Sequence, residues 1–333
     1  MKILVLTKKL NDTYGIAVGL KESAGFMALA LGVDGHDVVS QAVEDANSID
    51  GAIHRKKPAV VVLEALWVTA DKLAELCRLH PTVRFIVRIH SMVPFLALEG
   101  HAIGDIKAMD VLPGVAVVAN NQTAADDLNN GLGLNLGYLP NVYLEPKMCP
   151  TREVGKRRSD TLNVSCFGAI RPFKNQLGQA LAAMAVADSL GERLRFHVNG
   201  SRLEQKGEPV LKNLAAAFAG SDHELVVHAW KSHPKFLELV ATMDAGLQVS
   251  FTESFNIVAA DHVYCGVPLV VSTQIGWMNP KFAVSPTSQE SIADALVLAL
   301  QAGKRGADAN RKHLDRYNRA AQQAWSVFLN AID

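Results

Sequence analysis

The stretch Val249-Ser250-Phe251-Thr252-Glu253-Ser254-Phe255-Asn256-Ile257-Val258-Ala259-Ala260-Asp261-His262-Val263-Tyr264-Cys265-Gly266-Val267-Pro268-Leu269-Val270-Val271-Ser272 decides the fold. It reads as strand, polar turn, helix, glycine turn and strand, one βαβ unit whose strands run parallel. Glu253 stands in the turn and Asp261 follows about two helical turns later, so both look toward one end of the sheet. The helix N-terminus at Ser254, Phe255 and Asn256 offers backbone amides and a positive dipole end, a ready site for a phosphate. A plainer reading stands beside it: Glu253 and Ser254 cap a helix and do nothing more.

Outward from this unit the alternation of short apolar runs and helical segments continues in both directions. Strands are predicted at 3–6, 38–39, 60–63, 85–89 and 115–119, and again at 163–167, 194–198, 225–228, 245–249 and 268–272. The polar stretch 151–160, with Lys156, Arg157 and Arg158, is the expected domain boundary. The pattern predicts an α/β protein of two doubly wound, Rossmann-like domains facing across a cleft, with residues 1–150 in the first and 151–310 in the second. A last helix over 311–333 is expected to cross back to the first domain. Its stripe of Leu314, Tyr317, Ala321, Trp325, Phe328 and Ile332 must be buried, as must Leu177, Leu181 and Met184 of an earlier helix.

Composition narrows the class. A chain of 333 residues, 49% hydrophobic but only 6% aromatic, builds its cores from Ala, Val, Leu and Ile. Lys plus Arg and Asp plus Glu are 33 each, so the global basic field of a dedicated nucleic-acid binder is absent. Cys77, Cys149, Cys166 and Cys265 have no paired spacing and read as reduced thiols of a cytoplasmic protein. The first residues carry an apolar run too short for a signal peptide, and the apolar run 59–63 is stopped by Glu64.

Ligands of doubly wound sheets bind outside the carboxyl ends of the strands, so the residues after each strand matter most. Phe167-Gly168-Ala169-Ile170-Arg171-Pro172-Phe173-Lys174-Asn175-Gln176 lies at such a point, and Arg171 and Lys174 suit a diphosphate. Solvated loop cations are the alternative. His90 ends the strand 85–89, where a structural histidine is equally ordinary. Gly15 and Gly19, with Lys21 and Ser23, fall in the loop after the first strand, suited to close approach of a phosphate or to a tight turn. No zinc-site spacing, dinucleotide fingerprint, Walker A loop or nucleophile elbow is present.

Together these segments resemble the family 4 glycosyltransferases of the GT-B fold, whose pattern is Gly-Arg-x-x-x-x-Lys, then Glu-x7-Glu running into a Cys-Gly-x-Pro turn. Gly168 to Lys174, Glu253-x7-Asp261 and Cys265-Gly266-Val267-Pro268 carry the likeness, with Leu139-Pro140-Asn141 matching the interdomain exit. Two positions depart: Ala169 stands for the diphosphate-binding Arg, a role that passes to Arg171, and Asp261 stands for the second Glu. The resemblance implies retaining transfer of a sugar from a nucleotide-diphosphate donor. Glu253, His90, Lys174 and Arg171 are then catalytic. Gly19, Gly168, Arg171, Lys174, Ser254, Phe255, Asn256, Asp261 and Trp230 bind the donor. No cofactor or metal is implied, since no Asp-x-Asp exists to clamp a divalent ion. The acceptor is expected to be a small molecule, glycan or lipid-linked sugar rather than DNA, with peripheral membrane contact compatible with the sequence. The rival readings are a nucleotide-sugar epimerase or hydrolase of the same fold and a non-catalytic two-domain ligand-binding protein.

Overall fold

The computed structural model describes residues 1–9, 18–144, 150–152 and 160–332. Its first half runs β1 (Lys2–Lys8), α1 (Val18–Val33), β2 (Asp37–Val43), α2 (Ser48–Lys56), β3 (Val60–Glu64), α3 (Ala70–Leu79), β4 (Arg84–Ile89), α4 (Val93–Leu96), α5 (Ala102–Asp110), β5 (Val115–Ala119), α6 (Gln122–Leu132) and β6 (Gly137–Tyr138). Its second half runs β7 (Thr161–Ser165), α7 (Gln176–Leu190), β8 (Arg193–Asn199), α8 (Gly207–Phe218), β9 (Glu224–His228), α9 (His233–Val240), β10 (Ala245–Gln248), α10 (Ile257–Tyr264), β11 (Leu269–Ser272), β12 (Ala283–Val284) and α11 (Gln289–Ile332). The chain divides into two compact units, Met1–Leu144 with Asn318–Asp333, and Glu145–Tyr317.

Each unit holds one six-stranded parallel sheet, ordered β2-β1-β3-β4-β5-β6 in the first and β12-β11-β10-β7-β8-β9 in the second. Helices cover both faces of such sheets, so β1, β3, β5 and β11 carry uninterrupted apolar runs, whereas β7 and β8 alternate apolar with polar residues. β3 is buried along its whole length, and Leu4, Leu63, Phe85 and Ile106 join one continuous core. In the second unit Leu162, Phe196, Leu247, Val270 and Leu296 do the same. Gly246 in β10 is required by space: a Cβ there would stand 2.4 Å from Cδ2 of His262, which lies against the strand and meets Ser165 Oγ at 2.7 Å.

Several elements differ from their expected form. β2 is seven residues long, because Ser40 and Gln41 on this edge strand hide its length from an apolar search. β6 and β12, two residues each, are too short to show a period. α1 already begins at Val18, so Gly19, Lys21 and Ser23 are helical; Gly15 lies outside the described residues, as do 153–159 of the expected boundary. α7 buries Gln176, Gln179, Ala180, Ala183 and Ala187, while Leu181 is 39% exposed. Small side chains let this helix sit close to its sheet; of the expected stripe, Leu177 and Met184 pack partly buried against the core and only Leu181 turns outward.

The last helix starts at Gln289, passes a non-helical Gly303, and changes unit at Asn318 rather than near 311. Its buried stripe is Leu314, Asn318, Ala321, Trp325 and Leu329; Phe328 and Ile332 sit at the margin. Within the first unit, Trp325 Nε1 donates to Pro140 O at 2.8 Å, and the Asn318 amide bonds both the N–H and the C=O of Tyr143.

Candidate functional site

In the second unit, β7 and β10 are neighbours, so the loops leaving their carboxyl ends lie side by side. Side-chain to backbone bonds stitch them together. Gln179 of α7 donates to Lys174 O at 2.7 Å and accepts from Val249 N–H at 2.7 Å. Asn175 donates to Val249 O and Pro286 O, and Phe251 N–H donates to Phe173 O at 2.9 Å. The Gln248 side chain donates to Phe167 O and accepts from the Asn256 amide, both at 2.9 Å.

This stitching brings two predicted residues into contact: Lys174 Nζ donates to Glu253 Oε1, and both side chains are nearly buried, 12% and 8% exposed. A partly desolvated pair beside a strand end is a charge reservoir that an anion can enter, taking the ammonium and displacing the carboxylate. Next to Glu253, the Thr252 hydroxyl is buried without a hydrogen-bond partner among the described residues. A buried hydroxyl left unsatisfied costs about 1–3 kcal/mol, which a ligand oxygen would recover. Gly168, near the start of the other loop, holds φ +116°, a conformation that favours glycine, and donates its N–H to Asn199 Oδ1 at 2.8 Å. Behind it, burial pushes the Cys166 thiol up to about 12, with the Lys174 charge acting the other way.

The remaining predicted residues fall in different places. Arg171 does not share Glu253: its guanidinium donates to Glu204 Oε2 at 3.3 Å, and Arg202 takes the other oxygen of Glu204 at 2.6 Å. Ala169 is buried, its carbonyl held by Gln176. Asp261 is buried on α10 and bonded to His233 Nε2 at 2.8 Å. Ser254 is half-buried. Phe255 turns inward against Trp277 and Tyr317, with ring centroids at 5.6 and 5.5 Å, so its side chain serves packing. Asn256 holds φ 64° and caps α10 by accepting from Ala259 N–H at 2.9 Å. Trp230 is 58% exposed, just beyond His228 at the end of β9.

His90 and Gly19 belong to the first unit. His90 meets Glu64 Oε2 at 2.5 Å through Nε2 and the Asn120 amide at 3.2 Å through Nδ1, a pattern that assigns the proton to Nε2. Burial, and then the Arg88 charge, hold the imidazole below its ordinary pKa. Glu64 chelates Arg88 Nη1 with both oxygens at 2.8 Å; Arg88 also bonds Asn141 and Leu139 O. Burial alone would raise the Glu64 carboxyl, but Arg88 and His90 overcome it and hold the pKa at about 2.

Sequence reasoning did not find Gln179, Asn175, Gln248, His233, Glu64 or Arg88. Apart from Glu64 and Arg88, which face one another on paired strands, these residues act by bonds that span long stretches of chain, for which no local spacing is diagnostic.

Among solved structures the chain is similar to sucrose-phosphate synthase from Thermosynechococcus elongatus, with 11% identity, 99% of each chain covered and TM-score 0.73. It is similar to Anabaena HepE in complex with UDP and glucose, with 14% identity over 99% of this chain and 100% of that one, TM-score 0.70. A UDP-forming α,α-trehalose-phosphate synthase from Burkholderia xenovorans follows at 13% identity, 86% and 78% coverage and TM-score 0.64. These likenesses establish the GT-B fold. None of the curated proteins compared with this sequence matches it. The profile of family 4 glycosyltransferases in conflict systems matches residues 132–330, well over half of the chain and all of the stitched loops. On that match, the chain belongs to the family 4 glycosyltransferases of conflict systems.

Proposed function

We propose that this glycosyltransferase moves a sugar from a nucleotide-diphosphate donor to an acceptor hydroxyl with retention at the anomeric carbon. The Lys174–Glu253 pair at the ends of β7 and β10 carries the reading. As the bond from the anomeric carbon to the diphosphate breaks, its electron pair leaves on the diphosphate; the acceptor oxygen bonds to the anomeric carbon on the same face and its proton passes to a departing phosphate oxygen, while Lys174 meets the charge that develops there. The N-terminus of α10 adds its dipole, and Arg171 is a second cation on the same loop once it exchanges Glu204 for phosphate. Freed from Lys174, Glu253 faces the sugar. Asp261, oriented by His233, accepts the ribose hydroxyls, and Trp230 and Gly168 border the nucleotide.

Fixed cations and amides do here what a divalent ion does in other transferases, so the transfer needs no metal or cofactor. His90 of the first unit, whose Nδ1 accepts from the Asn120 amide and whose imidazole is held below its ordinary pKa by burial and the Arg88 charge, is assigned to the acceptor as a hydrogen-bonding group. Support for the donor class comes from fold neighbours described as bound to UDP and to UDP-glucose. The acceptor is a small molecule, glycan or lipid-linked sugar, met in the cytoplasm. Among the described residues no helix is long and apolar enough to cross a membrane.

The test is donor turnover by the whole chain with and without acceptor mixtures, beside Glu253→Ala with its fold verified by circular dichroism. Acceptor-dependent turnover abolished in the variant is expected. Normal transfer by folded Glu253→Ala contradicts the assignment, and turnover indifferent to every acceptor points to an epimerase or hydrolase.

A further inference from the structure

In the first unit, Asp50 and His54 sit one helical turn apart on α2, and His80 caps the C-terminus of α3. Ligand atoms of the three lie within 4.8 Å of one another. Asp50 Oδ1 is approached by two imidazoles at once, His80 Nε2 at 2.8 Å and His54 Nε2 at 3.4 Å, and the rings meet edge to face at 5.1 Å. We propose that Asp50, His54 and His80 bind one divalent ion of the zinc class, with solvent completing its coordination.

The two separations from Asp50 fit with little movement, and the two imidazole ligand atoms lie within 4.8 Å of each other. Ligand atoms about 2.1 Å from a tetrahedral zinc stand about 3.4 Å apart. The oxygen of Asp50 is already that far from His54, and its distance to His80 must open by about half an ångström. Two imidazoles and one carboxylate are the donor set that borderline transition metals prefer over calcium or magnesium. His80 is fixed by burial and by its backbone bonds to Leu76 O and from Val83 N–H, whereas His54 is exposed and free to swing onto the ion. A bound ion would tie α2 to the end of α3. None of the three residues belongs to the donor site, so the proposal stands apart from the transfer reaction.

The experiment is titration of the chelator-stripped full chain with zinc chloride by calorimetry, and with cobalt chloride by visible absorption. The expected result is one equivalent bound and a cobalt spectrum of nitrogen and oxygen ligation. Loss of a ligand costs at least the roughly ten- to hundredfold that loss of an outer-shell partner costs, and His54→Ala and His80→Ala should show it. His54 is exposed, so its variant tests the site even if His80→Ala fails to fold. His101→Ala removes a histidine that pairs with Asp105 at 2.9 Å, outside the three-residue cluster, and should bind normally. No binding, several weak equivalents, equal affinity in His54→Ala, or a thiolate absorption band would overturn the proposal.

Discussion

Two glutamate–cation pairs stand at strand ends of this molecule, and they are built for opposite purposes. Glu64–Arg88 joins β3 to β4 with both side chains fully buried and every charged group satisfied: Glu64 by Arg88 and His90, Arg88 also by Asn141, Leu139 O and the face of Trp325 at 5.5 Å. Lys174–Glu253 joins two loops, retains some exposure, and has an unsatisfied hydroxyl beside it. A saturated pair fixes structure because nothing can replace either partner. A pair with room and polar capacity at its edge is one that a ligand can open.

Breaking the first pair should have the largest effect. Arg88→Met leaves the buried Glu64 without its charge partner, with only the His90 bond remaining, and should destabilise the protein by about 3–5 kcal/mol, read by denaturant unfolding. Lys174→Ala sharpens the contrast from the other side: transfer should fall by about 10²–10³, as for loss of one donor to a developing negative charge, while the fold remains intact. A melting temperature lowered as far as in Arg88→Met would erase the distinction between the pairs.

Acid should also separate the two regions. His197 of the second unit is held at about 4 by burial, with His228 and Arg195 acting in the same direction, against an ordinary 6.5. The unfolded chain takes up that proton first, so stability from neutral His197 declines as the pH falls from about 6.5 to about 4. Glu64 has its folded pKa lowered from 4.5 to about 2, so its contribution is complete above about 4.5 and is lost as the pH falls toward 2. Unfolding monitored against pH should show both windows, and Arg88→Met should remove only the lower one. The smallest effect is expected from Trp230→Ala, about 1 kcal/mol in nucleotide affinity if a base stacks on the exposed indole, measured by calorimetry.

Many of the parallel strands were legible because burial on both faces leaves apolar runs, and the meeting of Lys174 with Glu253 because both stand in loops that follow neighbouring strands. Glu64 shows the limit. In the sequence it ends an apolar run and looks like the start of solvent, yet it is fully buried, since its partner arrives 24 residues later on the adjacent strand. Arg171 shows another: two cations three residues apart look equivalent, but the 3₁₀ turn Pro172–Lys174 between them sends one to Glu204 and the other to Glu253. The polar residues that stitch the loops carry no local pattern, because they bond backbone atoms about 70 residues away.

The most direct test of the donor site is equilibrium binding of uridine, guanosine and adenosine diphosphates and their sugars to the whole chain and to Lys174→Ala, read as a shift in melting temperature. A shift with one nucleotide class that disappears in the folded variant is the predicted result. An equal shift in both proteins, or none with any nucleotide, would contradict the placement of the donor diphosphate on Lys174.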